Sequence, residues 1–272
     1  MSNALSRTAQ EQLKHRAGAA LANALKSGDI VAAFQPKVSL DTNEMVGMEA
    51  LARWTSPEFG RVAPDVFIPL AEEQGLIGEL THAVLRDALS ACAILRREAP
   101  GMTVAVNISP LLLTDKDLPD QIDSALREAG LPPQALVAEV TESHVIAPGA
   151  RATLTALRRR GIGCSIDDFG TGHASLLSLM QMPFSELKID RAFVAGCGRD
   201  RGAEMIVRAT LGLAREMKLH VVAEGIETES TESMLRDLGC NTGQGYRYGR
   251  AMNTAGILAS MKQPVAEMRY HA

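Results

Sequence analysis

Residues able to do acid–base or metal chemistry fall at the ends of a series of short aliphatic runs. Glu49 lies late in the run from Met45 to Trp54, Asn107 closes Val104-Ala105-Val106, and Glu139 sits inside Val137-Ala138-Glu139-Val140. Asp167 and Asp168 end Cys164-Ser165-Ile166, Lys188 stands in Leu187-Lys188-Ile189, Glu224 ends Val221-Val222-Ala223, and Gln244 starts the last such region. A lone carboxylate inside an apolar strand is costly to bury, and carboxylates gathered at one place repel unless cations neutralise them. Glu, Asp and Asn oxygens are hard ligands, suited to Mg²⁺ or Mn²⁺ rather than zinc. The adjacent Asp167-Asp168 pair can serve two ions roughly 3.5–4 Å apart, the spacing of two-metal phosphoester hydrolysis. Lys188 and Arg53 add positive charge for phosphate oxygens or for holding a nucleophilic water. Taken singly, each residue has a plainer use: a salt bridge, a turn before Gly170 and Gly172, a solvated lysine. The joint pattern, one polar group on each of several strands, points to a site.

The elements that must position these groups alternate along the chain. Strand-like runs fit residues 30–40, 45–54, 102–108, 135–141, 163–167, 186–189 and 220–223, with a last one near Gly245–Tyr248. Helical patterns fit 64–74, 78–98, 115–129, 149–160, 173–180, 201–217, 228–238 and 253–261. Strands alternating with helices predict βα units and a parallel sheet. About eight strands in one chain favour closure into a TIM-like (β/α)8 barrel, whose carboxyl-end rim is where chemistry is assembled. The first two strands, joined by a turn at Asp41-Thr42-Asn43-Glu44, read as one antiparallel irregularity. Ahead of them, Leu13, Ala17, Leu21 and Leu25 at four-residue spacing predict an amphipathic helix that Gly28 stops.

Composition narrows the classes. Apolar residues at 46% can fill a large core, and aromatics at only 4% leave that task to aliphatic side chains. A net charge of −4 gives no electrostatic ground for a nucleic-acid polymer as partner. Metal ions can still reverse the local field for a small anionic ligand. Cys92, Cys164, Cys197 and Cys240 form no CxxC pair and read as buried thiols in a reducing compartment. No apolar stretch reaches the roughly 20 residues of a membrane span, and no signal-peptide pattern opens the chain, so a cytoplasmic location is expected. The expected division is a lead-in or connector helix over 1–27, one barrel domain over 28–265 and a tail over 266–272.

From Gly28 to Leu258 the chain resembles the EAL family of cyclic di-GMP phosphodiesterases. The motifs stand as Phe34-Gln35-Pro36, Glu49-Ala50-Leu51 followed by Arg53, Asn107-Ile108-Ser109, and Glu139-Val140-Thr141-Glu142. They continue as Asp167-Asp168-Phe169-Gly170-Thr171-Gly172, Leu187-Lys188-Ile189-Asp190, Val222-Ala223-Glu224-Gly225-Ile226-Glu227 and Gly243-Gln244-Gly245-Tyr246. The resemblance implies an eight-stranded α/β barrel with one irregular strand, two divalent cations (Mg²⁺ or Mn²⁺), and hydrolysis of cyclic di-GMP to linear pGpG. Glu49, Asn107, Glu139 and Asp167 would be metal ligands, with Asp167 bridging to a second ion held also by Asp168. Lys188 would position the attacking water, and Glu224 would be its general base or an organiser of it. Gln244 would complete the site, while Gln35 and Arg53 would contact the substrate. Glu142, Phe169, Gly170, Thr171 and Gly172 resemble the segment that links the site to a homodimer contact, so a homodimer is expected, with regulatory input from an upstream domain or a partner. His173, Ala174, Arg247 and Ala251 depart from the family pattern; the last two are expected to affect local packing only. The rival class is a catalytically silent cyclic di-GMP receptor, which typically lacks one or more of the acids; all are present here.

Overall fold

Period-two alternation decides how each strand is used. In Glu186-Leu187-Lys188-Ile189, the charged pair points one way and the aliphatic pair the other. Leu187 and Ile189 are fully buried, and so are their counterparts Val104, Val106, Leu136, Val140, Cys164 and Ile166 on neighbouring strands. That apolar face is what the surrounding helices cover.

The structure is a computed structural model that describes residues 7–141, 149–170 and 176–261. Helix α1 (Arg7–Ser27) leads into β1 (Ile30–Ser39), β2 (Met45–Ser56) and a short β3 (Gly60–Val62). Helices α2 (Pro64–Glu73) and α3 (Ile77–Leu95) precede β4 (Thr103–Asn107), and α4 (Leu118–Glu128) precedes β5 (Leu136–Thr141). Then come α5 (Ala150–Arg159), β6 (Gly163–Phe169), α6 (Leu176–Gln181), β7 (Glu186–Ile189), α7 (Arg191–Gly196) and α8 (Arg201–Met217). The last elements are β8 (His220–Ala223), α9 (Glu229–Asp237), β9 (Thr242–Gln244) and α10 (Thr254–Ser260).

The strand order β1-β9-β8-β7-β6-β5-β4-β2 closes through a β1–β2 pairing, and β3 adds to the outer side of β2. From β2 through β4 to β9 the ring is parallel. β1 alone in the ring runs antiparallel to both neighbours. The expected barrel with one irregular antiparallel strand is what the chain forms. Beyond the rim, β2 continues as a hairpin arm with β1 and β3, anchored by Trp54 set edge-on against Phe67 of α2 at 5.9 Å.

The structure departs from the expected elements at three points. The last strand is Thr242–Gln244, not Gly245–Tyr248. A Cβ on Gly245 would stand 2.2 Å from the Ile226 carbonyl oxygen, and that close approach turns the chain out of the sheet. The Arg247 and Tyr248 amides then bond back to Ile226 and Gly245, so Gln244 ends a strand at the mouth. Asp167 and Asp168 do not terminate theirs either: β6 runs on to Phe169 across a bulge, with Asp168 in the left-handed region at φ 56°. Finally, β3 and α7 form where no element is expected, each too short to show a period. The lead-in helix does form, with Leu21 buried and Gly28 closing it at φ 79°. All four cysteines are buried and unpaired. No described helix is long and apolar enough to cross a membrane.

Candidate active site at the carboxyl end of the barrel

The inner ends of four strands converge on one ammonium group carried by a fifth. Lys188 of β7 is 1% exposed. Its Nζ lies 2.6 Å from Glu224 Oε1, 3.1 Å from Glu139 Oε2, 3.1 Å from Asp167 Oδ1 and 3.4 Å from Glu49 Oε2. These partners come from the end of β8, from β5, β6 and β2, which only a closed barrel brings together.

Neutral donors complete the shell. Asn107 Nδ2 donates to Glu49 Oε1 at 2.8 Å and Gln244 Nε2 to Glu49 Oε2 at 2.7 Å. Gln244 Nε2 also lies 3.1 Å from Gln35 Oε1, and Gln35 donates to the Gly249 carbonyl at 3.2 Å. A groove of about 190 Å³ above the cluster is lined by Gln35, Glu49, Glu224, Gln244 and Tyr246. On the other flank of Glu49, a cavity of about 270 Å³ is lined by Leu51, Arg53, Glu72, Asn107, Ser109 and Thr141. Arg53 is thus beside the cluster rather than within it, its Nη1 donating to the Ala52 carbonyl at 2.9 Å.

The electrostatics leave this cluster short of positive charge. Burial pushes the Glu139 carboxyl up to about 8 against the pull of Lys188 and Lys37. Burial likewise raises Glu224 to about 7 and, with Asp167 and Asp190 adding repulsion, Asp168 to about 6. Glu49 is also buried, but Lys188, Lys37 and two amide donors hold it down to about 2. Carboxylates whose ionisation is resisted by burial and by one another are relieved by a divalent cation. The donor set fits one: carboxylate oxygens of Glu49, Glu139 and Asp167 lie within 4.8 Å of one another, and so do those of Asp167, Asp168 and Glu224. Asp167 is common to both groups, and every donor is a hard oxygen.

The barrel therefore brings together the expected Glu49, Asn107, Glu139, Asp167, Asp168, Lys188, Glu224, Gln35 and Gln244. Phe169 packs half-buried against the core and Gly170 follows it beside the Phe193 ring. Glu142, Thr171 and Gly172 lie outside the described residues, as do His173 and Ala174. Two charged groups escaped the sequence reading. Lys37 and Glu186 lie deeper in the barrel, with Lys37 Nζ 2.6 Å from Glu139 Oε1 and 3.3 Å from Glu186 Oε1. The period-two spacing of Gln35 to Lys37 and of Glu186 to Lys188 carried that signal. Arg247 does more than pack: it pairs with buried Glu232 of α9 and lies 3.7 Å from Glu229.

Fold and site together define an α/β barrel whose mouth carries a buried carboxylate–lysine centre suited to divalent cations. Residues 19–251 match the EAL domain family, and the chain belongs to it. It is 40% identical over 265 residues to MucR of Pseudomonas aeruginosa, named a bifunctional diguanylate cyclase/cyclic di-GMP phosphodiesterase, covering 95% of this chain and 38% of that protein. It is 33% identical over 230 residues to the cyclic di-GMP phosphodiesterase RocR of the same organism, covering 84% of this chain and 59% of that one. The chain thus spans less than two thirds of the length of these relatives. Among solved structures, the phosphodiesterase PaMucR in complex with c-di-GMP aligns with a TM-score of 0.83 at 39% identity, over 89% of this chain and 99% of that one. The EAL enzyme Bd1971 in its cAMP-bound form aligns with a TM-score of 0.88 at 30% identity, over 94% of this chain and 72% of that one.

Proposed function

We propose that the chain hydrolyses cyclic di-GMP to linear pGpG at this centre, with Glu49, Asn107, Glu139, Asp167 and Asp168 holding two divalent cations, Mg²⁺ or Mn²⁺. The observation that carries the reading is the unbroken acid set around Lys188, with Asp167 shared between two carboxylate groups. Cavities on both flanks of Glu49 suit a ligand with a base on either side of its phosphates. Bound there, divalent cations supply Lewis-acid polarisation of the phosphate and acidify a water.

The chain's own groups do the rest. Lys188, held among four carboxylates, donates to the attacking water and fixes its direction. Glu224, raised to about 7, accepts the proton as that water adds to phosphorus and a bridging P–O bond breaks. Gln35 and Gln244 orient the ligand on one flank and Arg53 on the other. We take residues 28–265 as the catalytic unit, with 1–27 as its lead-in and 266–272 as a tail. The working form is proposed to be a cytoplasmic homodimer, coupled to the site through Glu142, Phe169, Gly170, Thr171 and Gly172 and regulated by an upstream domain or a partner. A monomer with full activity in light scattering at assay concentration would refute the dimer.

The direct test is chromatography of cyclic di-GMP incubated with the protein and Mg²⁺ or Mn²⁺, beside Glu49→Ala and an EDTA control. Metal-dependent pGpG formation, lost in Glu49→Ala, is expected. Tight binding without cleavage under both metals would make the chain a receptor.

A further inference from the structure

The charged groups beneath the site have no part in the chemistry just described. Lys37 lies on β1 opposite Gly47, which pairs with Thr103 at the very start of β4. Gln35, two residues earlier, lies opposite Glu49 at the level of the centre. Lys37 therefore points into the floor of the barrel, on the far side of Glu139 from the mouth, and is 4% exposed. Its Nζ is 2.6 Å from Glu139 Oε1 and 3.3 Å from Glu186 Oε1, and Glu186 is the first residue of β7. Glu139 itself is 0% exposed, and its second oxygen, Oε2, is the one that meets Lys188. One oxygen of this carboxylate thus belongs to the floor and the other to the reaction chamber.

We infer that Lys37 is a positioning residue for the cation site: seated on Glu186, it holds the lower oxygen of Glu139 so that the upper oxygen is presented to a divalent ion. This rests on the proposed function for the role of Glu139. Lys37 is enclosed by Glu139 and Glu186 beneath the centre and does not face the groove where substrate would lie. Its contribution is orientation, and groups that orient a metal ligand change cation affinity by about 10–100-fold when removed.

The test is calorimetric titration of the purified full chain with Mn²⁺ in the absence of nucleotide. If the wild type binds no Mn²⁺, the proposed function fails and this inference falls with it. Given wild-type binding, Lys37→Met is expected to weaken Mn²⁺ affinity by about 10–100-fold, and Lys37→Arg, which keeps the charge, to recover part of it. Circular-dichroism melts identify folded variants. Simple loosening of the core would lower the melting temperature and leave Mn²⁺ affinity of the folded protein unchanged, and that result overturns the inference while leaving the proposed function standing. Should Lys37→Met not fold, Lys37→Gln decides by the same criterion: weakened Mn²⁺ binding supports the positioning role, and unchanged binding overturns it.

Discussion

The two faces of β7 show how the molecule divides its work. Leu187 and Ile189 look outward into an aliphatic shell, whereas Glu186 and Lys188, one residue away each, look inward to a column of charge. The outward face is interchangeable hydrocarbon whose burial drives folding. The inward face holds groups that resist burial and stay there only because each is paired. Stability and chemistry are thus carried by alternate residues of the same strands, and substitutions on the two faces should have separable consequences.

The sharpest contrast is between Glu49 and Leu187. Glu49→Ala is expected to lower cyclic di-GMP turnover by about three orders of magnitude, as loss of a preorganised charged group at a reaction centre does, far beyond what the accompanying loss of its buried pairing takes from the melting temperature. Leu187→Ala is expected to cost about 3 kcal/mol, a drop of about 6–12 °C in melting temperature, while kcat/KM of the folded protein stays within about twofold of wild type. Paired thermal melts and steady-state assays check both, and a Leu187 variant that melts normally yet fails to turn over would break the division. Gly245→Ala blurs it on purpose. The new Cβ would stand 2.2 Å from the Ile226 oxygen, so the turn must shift and take Gln244 with it. Turnover should fall about tenfold or more, because small misplacements at a site are costly, and a crystal structure of the variant should show Gln244 off Glu49.

The last expected effect is a slope with pH. Glu139, Glu224 and Asp168 stand at about 8, 7 and 6 in the fold, above ordinary carboxylate values. Between the ordinary value and the raised one, the folded state keeps a proton that the unfolded chain has released, so stability falls as pH rises. His220, depressed mainly by burial, acts in the opposite sense near its ordinary value but is a single group. In EDTA the melting temperature should therefore decline between about pH 5 and pH 8. Mn²⁺ should flatten that decline, since the ion displaces the protons. A melting temperature that rises over this range without cation would contradict the charge balance described for the inner face.

How far the sequence disclosed all this depended on the length of each pattern. β7 and β8 were read to the residue because their aliphatic runs are bounded by charge on both sides, and the convergence of the strand-end acids followed once a barrel was inferred. The lower pair, Lys37 and Glu186, escaped because they sit at the start of a run or beside a proline, where charge reads as solvated edge. Only closure reveals that the two face each other across the axis. β9 was displaced because Gly243-Gln244-Gly245 looks like a turn, and only the contact of Gly245 with Ile226 shows where the turn begins. The bulge at Asp168 depends on a register between β6 and β7 that no local pattern encodes.

The reversed direction of β1 has a topological consequence. In an all-parallel barrel the chain enters through the floor, opposite the mouth. Here β1 begins at Ile30, opposite Trp54 on the arm beyond the rim, and descends inward past Gln35 to Lys37. Helix α1 is thereby attached at the mouth, packed on α2, α3 and β2. The junction between α1 and β1 therefore lies within a few residues of Gln35, the glutamine that touches Gln244, and Lys37 on the floor comes only later in the strand. The helix that precedes β1 thus joins the barrel at the lip of the site and not at its floor.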